Sequence, residues 1–217
     1  MKDLGYFERV MHGLQQAAEA SRGETDAEAA VEHITRIARD VLGDPDSAKR
    51  PGALRPGERD IKVSGIFFAA PKRDHLILFA DHGFPAEQHH LRISITDSRP
   101  GHTVRTGEPV VLRNTDNDAM FRQILKTARM GSALYAPVVW QAQVLGMFNI
   151  AAQARNTYNA TDLKFALLFA NLAAATWVAL DGPHYLARVV SALPAWSSKG
   201  VNQKARPRPA RNPRKSL

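Results

Sequence analysis

Four strand-like apolar runs, paired by two short polar links, constrain the fold of this chain more than any other feature. The runs IKVSGIFFAA (61–70) and DHLILFADHG (74–83) are separated by the link PKR. The runs SALYAPVVW (132–140) and QVLGMFNIAA (143–152) are joined by the dipeptide QA. Apolar runs joined by two or three polar residues are typical of β-hairpins. Two such hairpins predict an antiparallel sheet.

Helical patterns precede the strands. We expect a first helix from about Lys2 to Ala20, with apolar residues at three- and four-residue spacing. A second helix is predicted to begin at a capping box formed by Thr25 and Glu28. The segment 43–60 contains three prolines and three glycines, so it predicts a long loop. The apolar positions of the first helix are Leu4, Phe7, Met11 and Leu14.

Two further helices complete the pattern. One is predicted around AMFRQILKTARM within residues 114–131, after the short strand VVLR (110–113). The other follows YNATD, where Asn159 can cap the helix and Asp162 stands at N3. Its run FALLFANLAAATWVAL (165–180) is shorter than the roughly 18–20 residues that span a bilayer, so it predicts a buried helix. This order of elements predicts an α+β domain built on an antiparallel sheet.

The chain contains no cysteine. This excludes disulfides, thiolate metal sites and cysteine nucleophiles, and it favours a reducing cytoplasm. The N-terminus carries acids and glutamines where a secretory signal would have a basic stretch and an apolar run. A cytoplasmic location is therefore the expectation.

The net charge of +8 is concentrated in residues 197–217, which contain no acid. A solvated, disordered tail is the simpler interpretation of this Pro-rich basic segment. Clustered Lys and Arg also bind phosphates, so the tail could instead bind nucleic acid or an acidic protein. The basic residues are Lys199, Lys204, Arg206, Arg208, Arg211, Arg214 and Lys215.

Motifs of several enzyme and metal classes are missing. No two glycines lie two residues apart, which excludes GxGxxG, and the eight histidines show neither HxxxH nor HExxH spacing. The adjacent His89 and His90 would point to opposite faces of a strand, so we expect surface or loop roles for them. His102 is the exception among the histidines. It lies with Arg105 in the crossing segment 84–109, where the two side chains could contact a haem or an anion.

Three segments, in order, resemble the GAF domain family of small-molecule sensor modules. They are PGHTVRTGEPVVLRNTD, MGSALYAPVVWQAQVLGMFNIAAQ and YNATD, and the resemblance extends from Thr25 to about Leu180. The matching elements are Gly101, Thr106-Gly107-Glu108-Pro109, Gly131-Ser132, Ala136-Pro137-Val138, Leu145-Gly146-Met147, Tyr158 and Asp162.

The resemblance implies a PAS-related sheet of about six antiparallel strands, with the terminal helices on one face. On the other face it implies a ligand pocket roofed by the crossing segment and the helix that follows. Family members bind cyclic nucleotides, tetrapyrroles, haem, iron centres or small metabolites, and they commonly dimerise through terminal helices. We therefore expect an N-terminal helix (1–22), a sensor domain (23–181), a helical extension (182–196) and a basic tail (197–217).

Departures from the family pattern reduce the number of ligand classes that this chain is expected to bind. The cyclic-nucleotide subfamily carries an Asn-Lys pair, a Phe and an Asp-Glu pair, where this chain has Ala152-Gln153, Tyr158 and Asp162-Leu163. Bilin attachment and the free methionine sulfoxide reductase activity of the family require cysteines, which are absent. No cofactor is assigned.

The resulting hypothesis is a non-enzymatic sensor module that signals as a homodimer or through a separate partner. One alternative is an interaction protein whose tail binds nucleic acid or an acidic partner, with the folded body as a dimerisation scaffold. A second is an enzyme that uses His102, Arg105 or Arg122. The candidate ligand-binding residues are His102, Arg105, Asn114, Phe121, Arg122, Arg129, Met130, Tyr135, Met147 and Asn149.

Asn149 stands inside a strand, where an unpartnered amide would cost about 1–3 kcal/mol. Strand alternation places it on the same face as Leu145 and Met147, opposite Phe148 and Ile150. On the roofed face it would contact a ligand, and on the helix face it would be a core amide.

Overall fold

The computed structural model describes residues 3–197, and its centre is one six-stranded sheet. All neighbouring strands are antiparallel, in the order β3-β2-β1-β6-β5-β4. The predicted α+β class and both hairpins are confirmed. The strands are β1 Lys62–Ala69, β2 His75–His82, β3 Arg92–Ser94, β4 Val110–Leu112, β5 Ser132–Trp140 and β6 Gln143–Ala152. Lys2, the predicted start of the first helix, and the basic residues of the tail lie outside the described residues.

Five α-helices accompany the sheet within residues 3–197. The second begins one residue later than its sequence suggested, because Asp26 and not Thr25 is the N-cap; its side chain accepts the Ala29 backbone N–H at 2.8 Å. Glu28 does not close a capping box and bonds elsewhere. The helices are α1 Leu4–Arg22, α2 Ala27–Val41, α3 Arg99–Thr106, α4 Ala160–Ala179 and α5 Gly182–Ala192.

Helices α1, α2, α4 and α5 cover one face of the sheet with an aromatic core. The Trp177 ring of α4 stacks on Phe68 of β1 with ring centroids 4.1 Å apart, and it meets Phe79 of β2 edge-on. Helix α4 has the length and apolar composition of a membrane span. Its face bearing Phe169 and Trp177 is nevertheless buried in the core that it forms with the sheet.

Helix α1 packs through Tyr6, Val10, Gly13 and Ala17, which are buried. A Cβ on Gly13 would lie 2.8 Å from Val41 Cγ1, so α1 and α2 approach closely there. Of the predicted apolar stripe, Leu14 packs partly buried against this core. The other members face outward: Leu4, Phe7 and Met11 are 73%, 38% and 54% exposed.

The buried Asp162 joins three parts of the helical layer. Its Oδ1 accepts hydrogen bonds from the Tyr6 hydroxyl at 2.6 Å and the Gly43 N–H at 2.9 Å. Its Oδ2 accepts the Asn159 N–H at 2.9 Å, which completes the capping box of α4. The predicted cap is confirmed, and the Asp also anchors α1 and the loop after α2.

The connections depart most from the sequence predictions. The crossing segment contains a helix, α3, which begins at the N-cap Ser98 and ends at Gly107 with φ 73°. Residues 119–131, where a helix was predicted, form no regular element. The loop 43–60 is tied to the sheet side by Arg155, which bonds Glu58, Asp116 and the Ala53 carbonyl.

Candidate functional site: a roofed cavity on the sheet

The candidate site is a cavity on the face of the sheet opposite α1, α2 and α4. Strands β1, β5 and β6 form its floor, and an irregular segment, residues 118–131, forms most of its roof. Its volume is ≈ 30 Å³, far below the roughly 300–1,000 Å³ of typical small-molecule pockets. The lining residues are Val63, Phe84, Phe121, Arg122, Gln123, Ile124, Leu125, Ala128, Met130, Tyr135, Asn149 and Ala151.

Side chains hold the roof in its irregular path. The Gln88 amide donates to the Ile124 carbonyl at 2.8 Å and accepts the Lys126 N–H at 2.9 Å. The Asp118 carboxylate accepts the Met120 N–H at 2.9 Å, and Arg122 donates to the Ala119 carbonyl at 2.8 Å. These bonds occupy backbone groups that a helix would pair internally. The helix predicted in this segment is therefore wrong.

Asn149 lies on the cavity floor. Its Nδ2 donates to the Leu134 carbonyl at 3.1 Å, so part of its hydrogen-bonding capacity is used by the neighbouring strand. Tyr135 stands directly across from it in the β5–β6 register and also lines the cavity. Burial, with a contribution from the Asp118 charge, raises the pKa of the Tyr135 phenol, which therefore stays neutral and can donate a hydrogen bond.

A register shift in the second hairpin corrects the predicted faces of β6. Met147 belongs to the cavity-side core, as alternation from Asn149 predicts, but Leu145 packs against the helix-side core. The pairing of β5 with β6 shifts between Val138 and Val139. Such an irregularity reverses the facing of residues beyond it.

Five of the ten candidate residues line the cavity and five lie elsewhere. Those at the cavity are Phe121, Arg122, Met130, Tyr135 and Asn149. Those away from it are His102, Arg105, Asn114, Arg129 and Met147. Ligand contact by any of the ten stays a prediction.

The residues away from the cavity have structural partners. The His102 ring is 3.5 Å from the Glu108 carboxylate, and Arg105 donates to the carbonyls of Ile95 and Thr96. Helix α3 thus directs both groups to neighbouring chain segments, so the structure does not bring the candidate His-Arg pair into the cavity.

The remaining three stabilise the roof and the sheet. Asn114 accepts the Asp116 N–H at 3.0 Å, and Arg129 pairs with the Asp116 carboxylate at 3.2 Å while lying over the Phe121 ring at 4.7 Å. Met147 is fully buried in the core between sheet and roof.

Sequence reasoning missed several lining residues. Ala151 stands two positions after Asn149 and pairs with Val63 of β1, so strand alternation and hairpin pairing could have placed both on the floor. The others belong to irregular segments without a periodic signal: Phe84, Gln123, Ile124, Leu125 and Ala128.

The chemistry of the lining is mainly apolar. Four polar residues, Arg122, Gln123, Tyr135 and Asn149, are set among aliphatic and aromatic side chains. The described lining contains no His, Asp or Glu. The cavity wall therefore offers neither an axial nitrogen for haem iron nor a carboxylate for another metal. The arrangement suits a compact, largely apolar molecule with one or two hydrogen-bonding groups.

Comparisons with known proteins agree with this architecture. The family model described as "GAF domain" matches residues 24–178. The GAF domain of a phosphoenolpyruvate-protein phosphotransferase from Coxiella burnetii superposes with a TM-score of 0.65 at 15% identity, covering 82% of this chain and 98% of that one. The corresponding Acinetobacter domain gives 0.64 at 13% identity, covering 85% and 97%.

An enzyme shares the fold as well. Free methionine-R-sulfoxide reductase from Neisseria meningitidis, solved with its substrate, gives a TM-score of 0.62 at 16% identity, covering 80% of this chain and 91% of that one. No curated protein matches the chain. At these identities the solved structures show the fold alone, and that fold occurs in GAF domains and in an enzyme.

Proposed function

The chain belongs to the GAF domain family, and we propose that it is a regulatory domain that binds a small molecule in the roofed cavity. The observation that supports this most is the position of the cavity. It lies over the centre of the sheet, where Tyr135 and Asn149 bring polar groups into an apolar enclosure.

Ligand entry requires the roof to move, because the cavity volume of ≈ 30 Å³ is far below the roughly 300–1,000 Å³ of pockets that hold small molecules. The roof is suited to such movement. It contains no regular element between residues 119 and 131, and the Gln88 amide ties it down through Ile124 and Lys126. Segments held by few backbone bonds open at a lower free-energy cost than sheet or helix. The bound state would exchange these tethers for contacts with the ligand.

We propose binding without catalysis. The free methionine sulfoxide reductase activity found in the family requires cysteines, and this sequence has none. The cavity lining also has no pair of titratable groups arranged as acid and base. A cytoplasmic location belongs to the same proposal, because the lack of cysteine suits a reducing compartment.

The signal would pass through a homodimer. Leu4, Phe7 and Met11 of α1 form an exposed apolar stripe next to Leu168 of α4, which is 43% exposed. Helices α1 and α4 touch through Phe7 and Phe165, whose ring centroids are 5.8 Å apart, so the stripe continues from one helix to the other. A contiguous exposed apolar surface of this kind is typical of an interaction site.

A ligand screen by thermal unfolding tests the proposal. Metabolites, nucleotides, haem and tetrapyrroles would be added to the full chain, and at 100 times Kd a ligand stabilises by about 2.7 kcal/mol. For a protein of this size we expect a rise in Tm of about 5–10 °C. A panel without any effect would contradict the proposal.

Matched hydroxyl deletions then test the site. Tyr135→Phe removes a phenol that faces the cavity, whereas Tyr158→Phe removes a buried phenol on the helix side, with no hydrogen-bond partner among the described residues. We expect the first variant to weaken binding of the identified ligand about 5- to 10-fold and the second to leave it unchanged. If both substitutions changed the affinity equally, the ligand would not bind in the roofed cavity.

The alternative function rests on the charge of the tail, which carries nearly the whole net charge of +8. Binding of the full chain to duplex DNA should then fall steeply with salt and disappear when residues 197–217 are deleted. Binding that is absent or insensitive to salt would exclude this alternative.

A further inference from the structure

Three potential metal ligands meet on the helix-covered side of the sheet, apart from the cavity. Glu28 belongs to α2, while His89 and His90 belong to the connection between β2 and β3. Their ligand atoms all lie within 4.8 Å of one another. Glu28 and His89 are only 7% and 8% exposed, and charged groups buried to this extent are paired or coordinate metals.

Two distortions of the backbone bring the cluster together. Ala80 in β2 has φ 51°, at a register shift between β1 and β2, and its N–H points to the Glu28 carboxylate at 3.3 Å. His90 has φ 57°, so the two adjacent imidazoles lie side by side, with ring centroids 3.9 Å apart and planes tilted by 32°, instead of pointing to opposite faces as a strand would require. The expected separation of His89 and His90 is therefore wrong. Left-handed backbone at a residue other than Gly costs about 1–3 kcal/mol and clusters at functional sites.

The hydrogen bonds of His89 leave its second nitrogen facing a carboxylate. The Nδ1 atom is 2.8 Å from the Asp81 carboxylate, which can only accept, so Nδ1 carries a hydrogen. Its Nε2 atom is directed to the other side and lies 3.6 Å from the Glu28 carboxylate. The imidazole therefore has an outer partner in Asp81 and points its second nitrogen towards the cluster.

We propose that Glu28, His89 and His90 bind a divalent transition-metal ion of the zinc type. Three protein ligands from imidazole and carboxylate, with a position left over, form a common donor set for this ion. Asp81 supplies the outer-shell contact, since a carboxylate on the distant nitrogen of a metal-bound imidazole fixes its tautomer and orientation.

The distances agree with this assignment. The Nε2 atom of His89 is 3.6 Å from Glu28 Oε1, and that of His90 is 3.4 Å from Glu28 Oε2. A tetrahedral ion with bonds of about 2.0–2.1 Å has ligands separated by about 3.3 Å, so small adjustments complete the site. Calcium and magnesium are poorer candidates because they prefer an all-oxygen shell.

Neighbouring residues connect the site both to α5 and to the roof of the cavity. Tyr185 of α5 donates its hydroxyl to the Glu28 carboxylate at 2.8 Å. Gln88, adjacent to His89, is the residue that bonds the roof. A bound ion would fix α2, α5 and the segment that clamps the roof in one arrangement, whether or not the cavity is filled.

Titration of the EDTA-treated full chain with Zn²⁺ tests the proposal. We expect one ion per chain with a rise in Tm, and a loss of affinity of 100-fold or more in Glu28→Gln and His89→Gln. Asp81→Asn, which alters only the outer shell, should lose about 10- to 100-fold. His12→Gln, an exposed histidine of α1, is the matched control and should bind as the wild type does.

Cobalt provides a readout that does not depend on stability. Bound Co²⁺ should give the intense visible bands of a four-coordinate site in the wild type and in His12→Gln, with altered bands in Asp81→Asn. The proposal is overturned if the wild type binds neither ion. It is equally overturned if Glu28→Gln and His89→Gln, folded by circular dichroism, bind Zn²⁺ as the wild type does.

Discussion

Single residues explain why particular motif positions are glycines. Gly101, one of the family landmarks, is buried at the start of α3. A Cβ there would lie 2.1 Å from the Ile95 carbonyl oxygen, an overlap with backbone that no rotamer change relieves. Gly5, on the exposed side of α1, has no comparable neighbour; its nearest atom would be an Asp3 oxygen at 3.8 Å.

The same substitution at these two glycines should therefore act in opposite directions. We expect Gly101→Ala to lower the free energy of unfolding by about 1–3 kcal/mol, because α3 must move away from the segment before it. Gly5→Ala should raise it by about 0.5–1 kcal/mol through helix propensity. Urea unfolding measures both, and a stabilising effect of Gly101→Ala would contradict the packing described for α3.

At the scale of elements, the loop 43–60 and the roof meet at one partly buried ionic network. Asp116 accepts hydrogen bonds from Arg155 at 2.9 Å, Arg55 at 2.6 Å and Arg129 at 3.2 Å. Burial alone would raise the pKa of Asp116, but the bonds from Arg155 and Arg129 outweigh it and lower the pKa. The hydrogen bond from Arg155 likewise lowers the pKa of Glu58.

This network predicts a loss of stability in acid. Because the folded pKa values are lowered, the unfolded chain binds the protons more tightly, so the stabilisation is complete above the unfolded pKa of about 4. It is lost as the pH falls through the folded pKa values. We expect the free energy of unfolding to fall from pH 5 to pH 3, and to fall less in Asp116→Asn. An identical fall in both proteins would show that Asp116 does not contribute.

The elements that the sequence predicts are those whose signals are local. Both hairpins and the capped α4 follow from apolar runs, short links and the Asn159–Asp162 spacing. The roof does not, because its path depends on Gln88, more than thirty positions away from the backbone atoms that it bonds. The face of Leu145 depends on a register shift in its hairpin, and that of His90 on one left-handed backbone angle. Neither has a periodic signature.

For the molecule as a whole, we propose the exposed stripe of α1 as the surface for self-association. We expect the wild-type chain to have a solution mass near twice its 23.9 kDa. Met11→Lys should shift it towards the monomer, because the charge would be buried at the interface. Gln16→Lys, also exposed on α1 but off the stripe, is the control and should stay dimeric.

Light scattering with size exclusion measures these masses. A wild type that is monomeric at micromolar concentration would contradict the homodimer, as would a Met11→Lys variant that remains dimeric under the same conditions.

We propose above all that a small molecule binds between the sheet and the irregular roof. The most direct measurement is a fragment screen by two-dimensional NMR on the isotope-labelled full chain, with assigned amide resonances. We predict that the fragments which bind shift the amides of Tyr135, Asn149 and the roof residues 121–130 more than those of the helix-covered face. If no fragment shifts these amides, or if the shifts fall mainly on α1, α2 and α4, the cavity is not a binding site and the account is contradicted.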